Sequence, residues 1–286
     1  MKILYPFAKR FIAGHDFESA KPEIQKLMDE GYEVSIDYVG EKSKTIKDCR
    51  QAFKQYVQII NFYKNKKIDI SIKPSQLGLL INPTVSYGLC FKLAGIAKKR
   101  GHTIRLDMED SKVTDLTRNL AISLNARFDN VGVAIQANLH RTKEDLNILI
   151  KKGVSVRLVK GAYAEKEKIA LQSPEEIEDA VFNGVAELIK KSKITHAVGT
   201  HDQNLIEDII DILPKSKKLD FEFLYGIRRD LQKSLKEKQY NVRVYIPFGE
   251  DWFPYVVRRL KEYKNLKFVI VNVIKEIYEK AFGSRS

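Results

Sequence analysis

The chain has 286 residues, 44% hydrophobic and 30% charged, with a formal net charge of +13. This excludes a disordered chain and suffices for one large domain or two small ones. The cations are scattered and form no basic block, which argues against nucleic acid, and no apolar run approaches the roughly 20 residues of a membrane span. In chain order, residues 1–31 read as one or two helices, amphipathic over 18–30. Short β-branched runs then alternate with helical patterns. The predicted strands cover 32–40, 68–73, 103–109, 131–137, 154–161, 195–201, 220–226 and 242–249. Between them, the run 89–101 has apolar residues at helical spacing and ends in basic residues and glycine. Thr142, with Asp145 three residues on, opens a helix that Gly153 is placed to close. Ser173-Pro174-Glu175-Glu176 reads as a capping box with proline at the first helical position.

Eight strand–helix units over about 250 residues fit an α/β fold of the (βα)8 barrel type. The division expected is an N-terminal helical segment, 1–31, and a barrel domain, 32–286. A doubly wound sheet would show a glycine-rich phosphate turn after its first strand, and no GxGxxG occurs. Cys49 and Cys90 lack metal or disulfide spacing, and no metal site is expected.

Functional groups of such a barrel gather at the C-terminal ends of its strands. Here those ends are polar: Lys73, Asp107 with Glu109, Gln136, Arg157 with Lys160-Gly161-Ala162-Tyr163, Thr200-His201 and Tyr245. Burying so many polar groups is costly unless they pair or meet a ligand. Each also has a plainer reading: Lys73 and Asp107 as an ion pair, His201 as a satisfied core histidine, Gln136 as a loop cap, Gly161 as a turn glycine. Near the end, EDWFPYVVRRLKE predicts a helix on which Tyr255 lies three and four residues before Arg258 and Arg259, with Glu262 beyond. Two guanidiniums so placed can fork a carboxylate or phosphate; a solvated basic face with one surface salt bridge is the alternative.

Taken together, IKPSQLG, RLDMED, IQANLHRTKEDL, VRLVKGAY, GTHD, LYGIRRDLQ and YIPFGEDWFPYVVRRLKE resemble the proline dehydrogenases, in family order and from about residue 10 onward. The resemblance is to the short, monofunctional microbial form. It implies a distorted (βα)8 barrel with FAD at the strand C-termini and the last helix over the mouth. It implies oxidation of L-proline to Δ1-pyrroline-5-carboxylate, with a membrane quinone as electron acceptor. By this resemblance Arg258, Arg259 and Lys73 bind the proline carboxylate, and Tyr245, Tyr255, Tyr163 and Leu224 wall the ring. Asp107 acts from behind, holding Tyr245 or Lys73. Gln136 faces the flavin, Arg157 sits by its N5 and Val159 packs on it. Lys160, Gly161 and Ala162 pass near the ribityl and phosphates, Thr200 and His201 meet the adenosine side, and Glu262 hydrogen bonds to the cofactor. Glu222 stands where the family pattern leads one to expect glutamine, Pro74 follows Lys73, and Gly199 replaces a more usual alanine. A cytoplasmic location, a peripheral contact with the cell membrane and an oligomer are compatible with this reading. Its rivals are a colourless barrel lyase or aldolase using Lys73 or Lys160 as a Schiff base, and a basic binder of anionic polymers.

Overall fold

The computed structural model describes residues 8–40, 42–64, 66–163, 165–214 and 219–263, the last six of these in backbone only. Eight parallel strands close on themselves in sequence order. They are β1 (Glu33–Tyr38), β2 (Asp69–Ile72), β3 (Thr103–Leu106), β4 (Val131–Gln136), β5 (Val156–Val159), β6 (His196–Gly199), β7 (Leu219–Leu224) and β8 (Asn241–Phe248). Each predicted strand overlaps one of these. Helix α1 (Phe17–Asp29) precedes the barrel. Around it lie α2 (Ile46–Phe62), α3 (Pro83–Lys99), α4 (Thr114–Phe128), α5 (Thr142–Lys151), α6 (Pro174–Lys191), α7 (Gln203–Ile212) and α8 (Arg229–Glu237), and α9 (Trp252–Tyr263) follows β8.

The strands alternate strictly. Ile36, Ile72, Leu106, Leu158, Phe223 and Val244 are buried in the apolar core shared with the helices. Their neighbours Ser35, Ser71, Arg105, Arg157, Glu222 and Arg243 are buried too, but they are paired inside the barrel: Arg157 with Ser35, Ser71 and Glu222, Arg105 with Asp69, and Arg243 with Asp220. The period of two in side-chain direction makes this division unavoidable once the sheet closes. In the lower interior Asp69 accepts from Ser35 Oγ (2.8 Å), Thr103 Oγ1 (2.6 Å) and Arg105 Nε (3.2 Å). Arg243 donates to Asp220 (2.6 Å).

Helix starts follow from their caps. Asp16 and Ser19 form a reciprocal capping box at α1, as do Thr45 and Asp48 at α2. One local expectation is corrected and one is met by a different bond. Ser173 does cap α6 by accepting from Glu176 N, but no return bond from the Glu176 side chain completes a box. Thr142 starts α5 without capping it: its hydroxyl donates to Gln136 O (2.6 Å), tying the helix to the end of β4. Pro74 ends β2 promptly, because it cannot donate to the ladder, and the chain turns through a 3-10 segment, Pro74–Leu77.

Candidate active site

The strand ends converge on one ion-paired cluster. Lys73, just beyond β2, donates to Asp37 Oδ1 of β1 (2.5 Å) and lies 3.5 Å from both Asp107 Oδ2 and the Tyr245 hydroxyl. Tyr245 OH donates to Asp107 Oδ2 (2.7 Å). Arg157 stands beneath, donating to Asp107 Oδ1 (2.8 Å), Glu222 Oε2 (2.7 Å), Ser35 Oγ (2.8 Å) and Ser71 Oγ (3.0 Å). Its guanidinium carbon is 5.1 Å from the centre of the Tyr245 ring. Six strands therefore meet at one point: β1, β2, β3, β5, β7 and β8. Glu222 is no loose end at the departure noted above, since it is a main partner of Arg157.

The electrostatics are those of a buried, coupled set. Burial disfavours the Lys73 ammonium, but Asp37 and Asp107 outweigh it and hold its pKa above the ordinary lysine value. Burial pushes the Asp37 carboxyl upward, against the pull of Lys73. Burial also raises the Tyr245 phenol well above its usual range, with Asp107 and Asp37 adding to the effect. A lysine held so firmly charged is a poor Schiff-base nucleophile, which needs a neutral amine. The aldolase reading loses its first candidate on this ground. Its second, Lys160, is ion-paired to Glu178 (2.6 Å) and Asp202 (3.1 Å).

The other expected residues fall around this cluster. Leu224 ends β7 in register with Tyr245. It packs on a small apolar cluster that contains Tyr255 of α9. Tyr163 lies in the loop after β5 and is 41% exposed. Gln136 ends β4, donates from Nε2 to Glu109 O (3.1 Å) and keeps its buried Oε1 without a partner. Asn138 Oδ1 is likewise buried and unpartnered. Val159 ends β5, followed by Lys160, Gly161 and Ala162. Gly161 has φ +123°, and a Cβ there would lie 2.4 Å from Asn138 Oδ1, so only glycine fits. At Gly199 a Cβ would lie 2.9 Å from Val159 Cγ1, a contact that favours the smaller residue. Thr200 Oγ1 accepts from Asp202 N (3.2 Å), and His201 Nε2 accepts from Leu224 N (3.0 Å). The side chains of Arg258, Arg259 and Glu262 lie outside the described residues; their positions fall on α9, one to two turns beyond Tyr255. Among the described residues no group of histidine, cysteine and carboxylate side chains could hold a metal ion.

Sequence reasoning missed Asp37, Ser35 and Ser71. The signal was present as the i, i+2 polar alternation in VSIDY and DISIK, which on closed strands points every second residue into the barrel.

With this geometry in view, the comparisons decide the family. The proline dehydrogenase family model matches residues 20–270. The chain belongs to the proline dehydrogenase family. Proline dehydrogenase 2 of Bacillus subtilis (strain 168) is 30% identical over 276 residues, spanning 94% of this chain and 91% of that one. The proline dehydrogenase of Deinococcus radiodurans is 32% identical over 284 residues, spanning 95% and 91%. Among solved structures, proline utilization A from Bdellovibrio bacteriovorus, inactivated by N-propargylglycine, superposes with TM-score 0.81 at 22% identity. The match covers 90% of this chain and 32% of that much longer one. Proline utilization A of Bradyrhizobium japonicum gives TM-score 0.79 at 22% identity, over 91% and 31%. At that identity the structural likeness shows the barrel fold alone. Family membership also makes this chain a redox enzyme, which the polymer-binding reading cannot accommodate.

Proposed function

We propose that this protein oxidises L-proline to Δ1-pyrroline-5-carboxylate with FAD as its cofactor, the first step of proline catabolism, and passes the electrons to a quinone. The observation that carries the reading is the Lys73–Asp37–Asp107–Tyr245 cluster at the strand C-termini, in a chain of this family. FAD fits the neighbouring strand ends. Gln136 Oε1 and Asn138 Oδ1 are buried acceptors in want of a donor, and the Gly161 backbone passes in a conformation closed to other residues. Gln136, Arg157, Val159, Lys160, Gly161, Ala162, Thr200, His201 and Glu262 would hold it. When bound, FAD supplies the acceptor for the hydride that leaves proline C5.

The protein's own task is to grip and orient the substrate. Lys73 cannot do this alone, because its charge already faces two carboxylates. The interior set Asp37, Asp69, Asp107, Asp220 and Glu222 against Lys73, Arg105, Arg157 and Arg243 leaves one net negative charge. A proline carboxylate entering there needs further cations, and Arg258 and Arg259 on α9 supply them as a bidentate clamp. Tyr245, Tyr255, Leu224 and Tyr163 wall the pyrrolidine ring. The ammonium proton leaves to solvent. Once the arginines engage, α9 excludes water from the mouth.

The deciding experiment is a visible spectrum of the purified protein before and after anaerobic L-proline. A flavin spectrum that bleaches is the expected result; a flavin that stays oxidised would reopen the substrate, and no flavin after reconstitution with FAD would remove the proposal. Arg258→Met and Arg259→Met should each raise the proline KM at least about tenfold, the loss of one charge-assisted pair, with the melting temperature little changed. Unchanged KM in both would sink the clamp.

A further inference from the structure

Three carboxylates surround the Arg157 guanidinium inside the barrel. Asp107 Oδ1 accepts from Nη1 (2.8 Å), and Asp69 Oδ2 lies 3.5 Å from Nη2. Glu222 takes the guanidinium with both oxygens, Oε2 accepting from Nε (2.7 Å) and Oε1 lying 2.7 Å from Nη2. Asp107 and Asp69 are each shared with a second cation: Lys73 Nζ is 3.5 Å from Asp107, and Arg105 Nε donates to Asp69 (3.2 Å). Among the described residues, Glu222 has its ion pair with Arg157 alone. Both side chains are buried, at 3% and 4% exposure, so salt and water screen the pair little.

The strand register explains how the two side chains meet. β6 runs between β5 and β7 and presents only Ala197 beside Arg157 and Gly199 beside Glu222. Both long side chains can therefore reach across it. Burial disfavours the Arg157 cation, but Glu222 first, then Asp107 and Asp69, outweigh it and hold its pKa above the ordinary arginine value. The carboxylate at 222 also decides the charge of the interior, which carries one net negative charge with glutamate there and none with glutamine. On its other side Arg157 faces the site, with its guanidinium carbon 5.1 Å from the centre of the Tyr245 ring. A flavin carries more negative charge when reduced than when oxidised. A cation beside it favours reduction, and a carboxylate fixed on that cation opposes it.

We propose, on the flavin reading above, that Glu222 sets the reduction potential of the bound cofactor, holding it below the value that a neutral side chain at this position would give. The lower potential makes the reduced flavin a stronger donor to its acceptor and the oxidised flavin a weaker acceptor from the substrate. Glu222 acts through Arg157 and is a positioning residue for charge; it does not touch the reacting atoms.

The test is the midpoint potential of the FAD-loaded protein, measured against a reference dye, together with its affinity for sulfite, which adds negative charge to an oxidised flavin. Glu222→Gln keeps the shape and removes the charge. It should raise the potential by about 30 mV or more, a tenfold change in the ratio of reduced to oxidised flavin. Sulfite should bind at least about tenfold more tightly. Glu222→Met should shift both in the same direction, so the outcome does not hang on the folding of one variant. Glu222→Asp keeps the charge and should stay near the parent. Ser71→Ala removes a neutral acceptor from the same guanidinium (3.0 Å) and should leave the potential in place. Unmoved potential and sulfite affinity in the Gln and Met variants, with FAD bound, overturn the proposal. A shift as large in Ser71→Ala overturns it too, since the position of Arg157 would then matter and not the charge of Glu222. A parent chain that takes up no FAD removes the flavin reading and this inference with it. FAD that binds but is not reduced by proline fails the substrate alone, because neither the dye nor sulfite depends on it.

Discussion

Asp107 is the residue on which most of the site converges. Its two carboxylate oxygens serve Tyr245, Arg157 and Lys73 at once. An asparagine there keeps the shape, removes the charge and turns a donor toward groups that already donate. Asp107→Asn should therefore lower kcat/KM for proline by about a hundredfold, roughly the effect of one misdirected preorganised contact. Tyr245→Phe should cost less, about tenfold, because the ring stays and Lys73 keeps both carboxylates. Steady-state kinetics on the two variants decide this, and equal losses would mean that the Asp107 charge does not matter. At this scale the sequence was readable where a motif carried the residue. Lys73, Asp107 and Gln136 stand at the ends of strands that sequence spacing located, and Arg157 and Tyr245 stand within two more. It was unreadable for Asp37, whose importance lies only in its partner across the β1–β2 pair. It named Lys160 but not the carboxylates that hold it, because Glu178 and Asp202 are distant in sequence.

The elements were the easiest part to read, because strands and helices announce themselves by different periods. All eight strands were placed, and β7 and β8 needed only their ends trimmed or extended. What periodicity did not reveal is the interior they enclose. Many of the inward residues are charged, and Arg105, Arg157, Arg243, Asp69, Asp220 and Glu222 form an ion-paired network within the barrel. Asp69 anchors its lower part. Burial alone would raise its carboxyl, but Arg105, Arg243 and Arg157 outweigh that and hold it far below the ordinary carboxylate range. The sign follows: a depressed folded-state pKa gives stability that is present above the unfolded value, about 3.9, and lost as pH falls below it. Asp69→Asn leaves buried arginines uncompensated and should lower unfolding free energy by about 3–5 kcal/mol at neutral pH. That difference should shrink as pH falls below about 4, where the parent loses the same contribution. Urea unfolding of both chains across this range measures it; a difference independent of pH would mean that Asp69 acts through packing instead of charge.

At the scale of the whole molecule, the N-terminal segment is what joins the barrel to α9. Ala13 N donates to Pro247 O (2.9 Å) and Gly249 N to Gly14 O (3.1 Å), so residues 13 and 14 run beside the end of β8. At the β7–α8 turn, Gly226 has φ +77°, and a Cβ there would lie 1.8 Å from Arg10 O, so the segment seats against bare backbone. Phe11 and Ile12 then form an apolar cluster with Val39 beyond β1, Ile227 in that turn, and Trp252, Tyr255 and Val256 of α9. This cluster is separate from the main core, so its loss should loosen α9 without melting the barrel. Ile12, 1% exposed, is the place to test it. Ile12→Ala removes three carbons from a packed site, worth about 2–5 kcal/mol where the surroundings do not collapse. Amide exchange over residues 252–257 should accelerate by tenfold or more on that basis, while β4 and β5 keep their protection. Because α9 carries the proposed clamp, proline KM should rise in the same variant, and kcat at saturating proline should change little. If exchange accelerates equally in strands and helix, the segment belongs to the global fold; if α9 alone is released and KM holds, the clamp does not depend on the docking of α9, and Arg258 and Arg259 lose their proposed role.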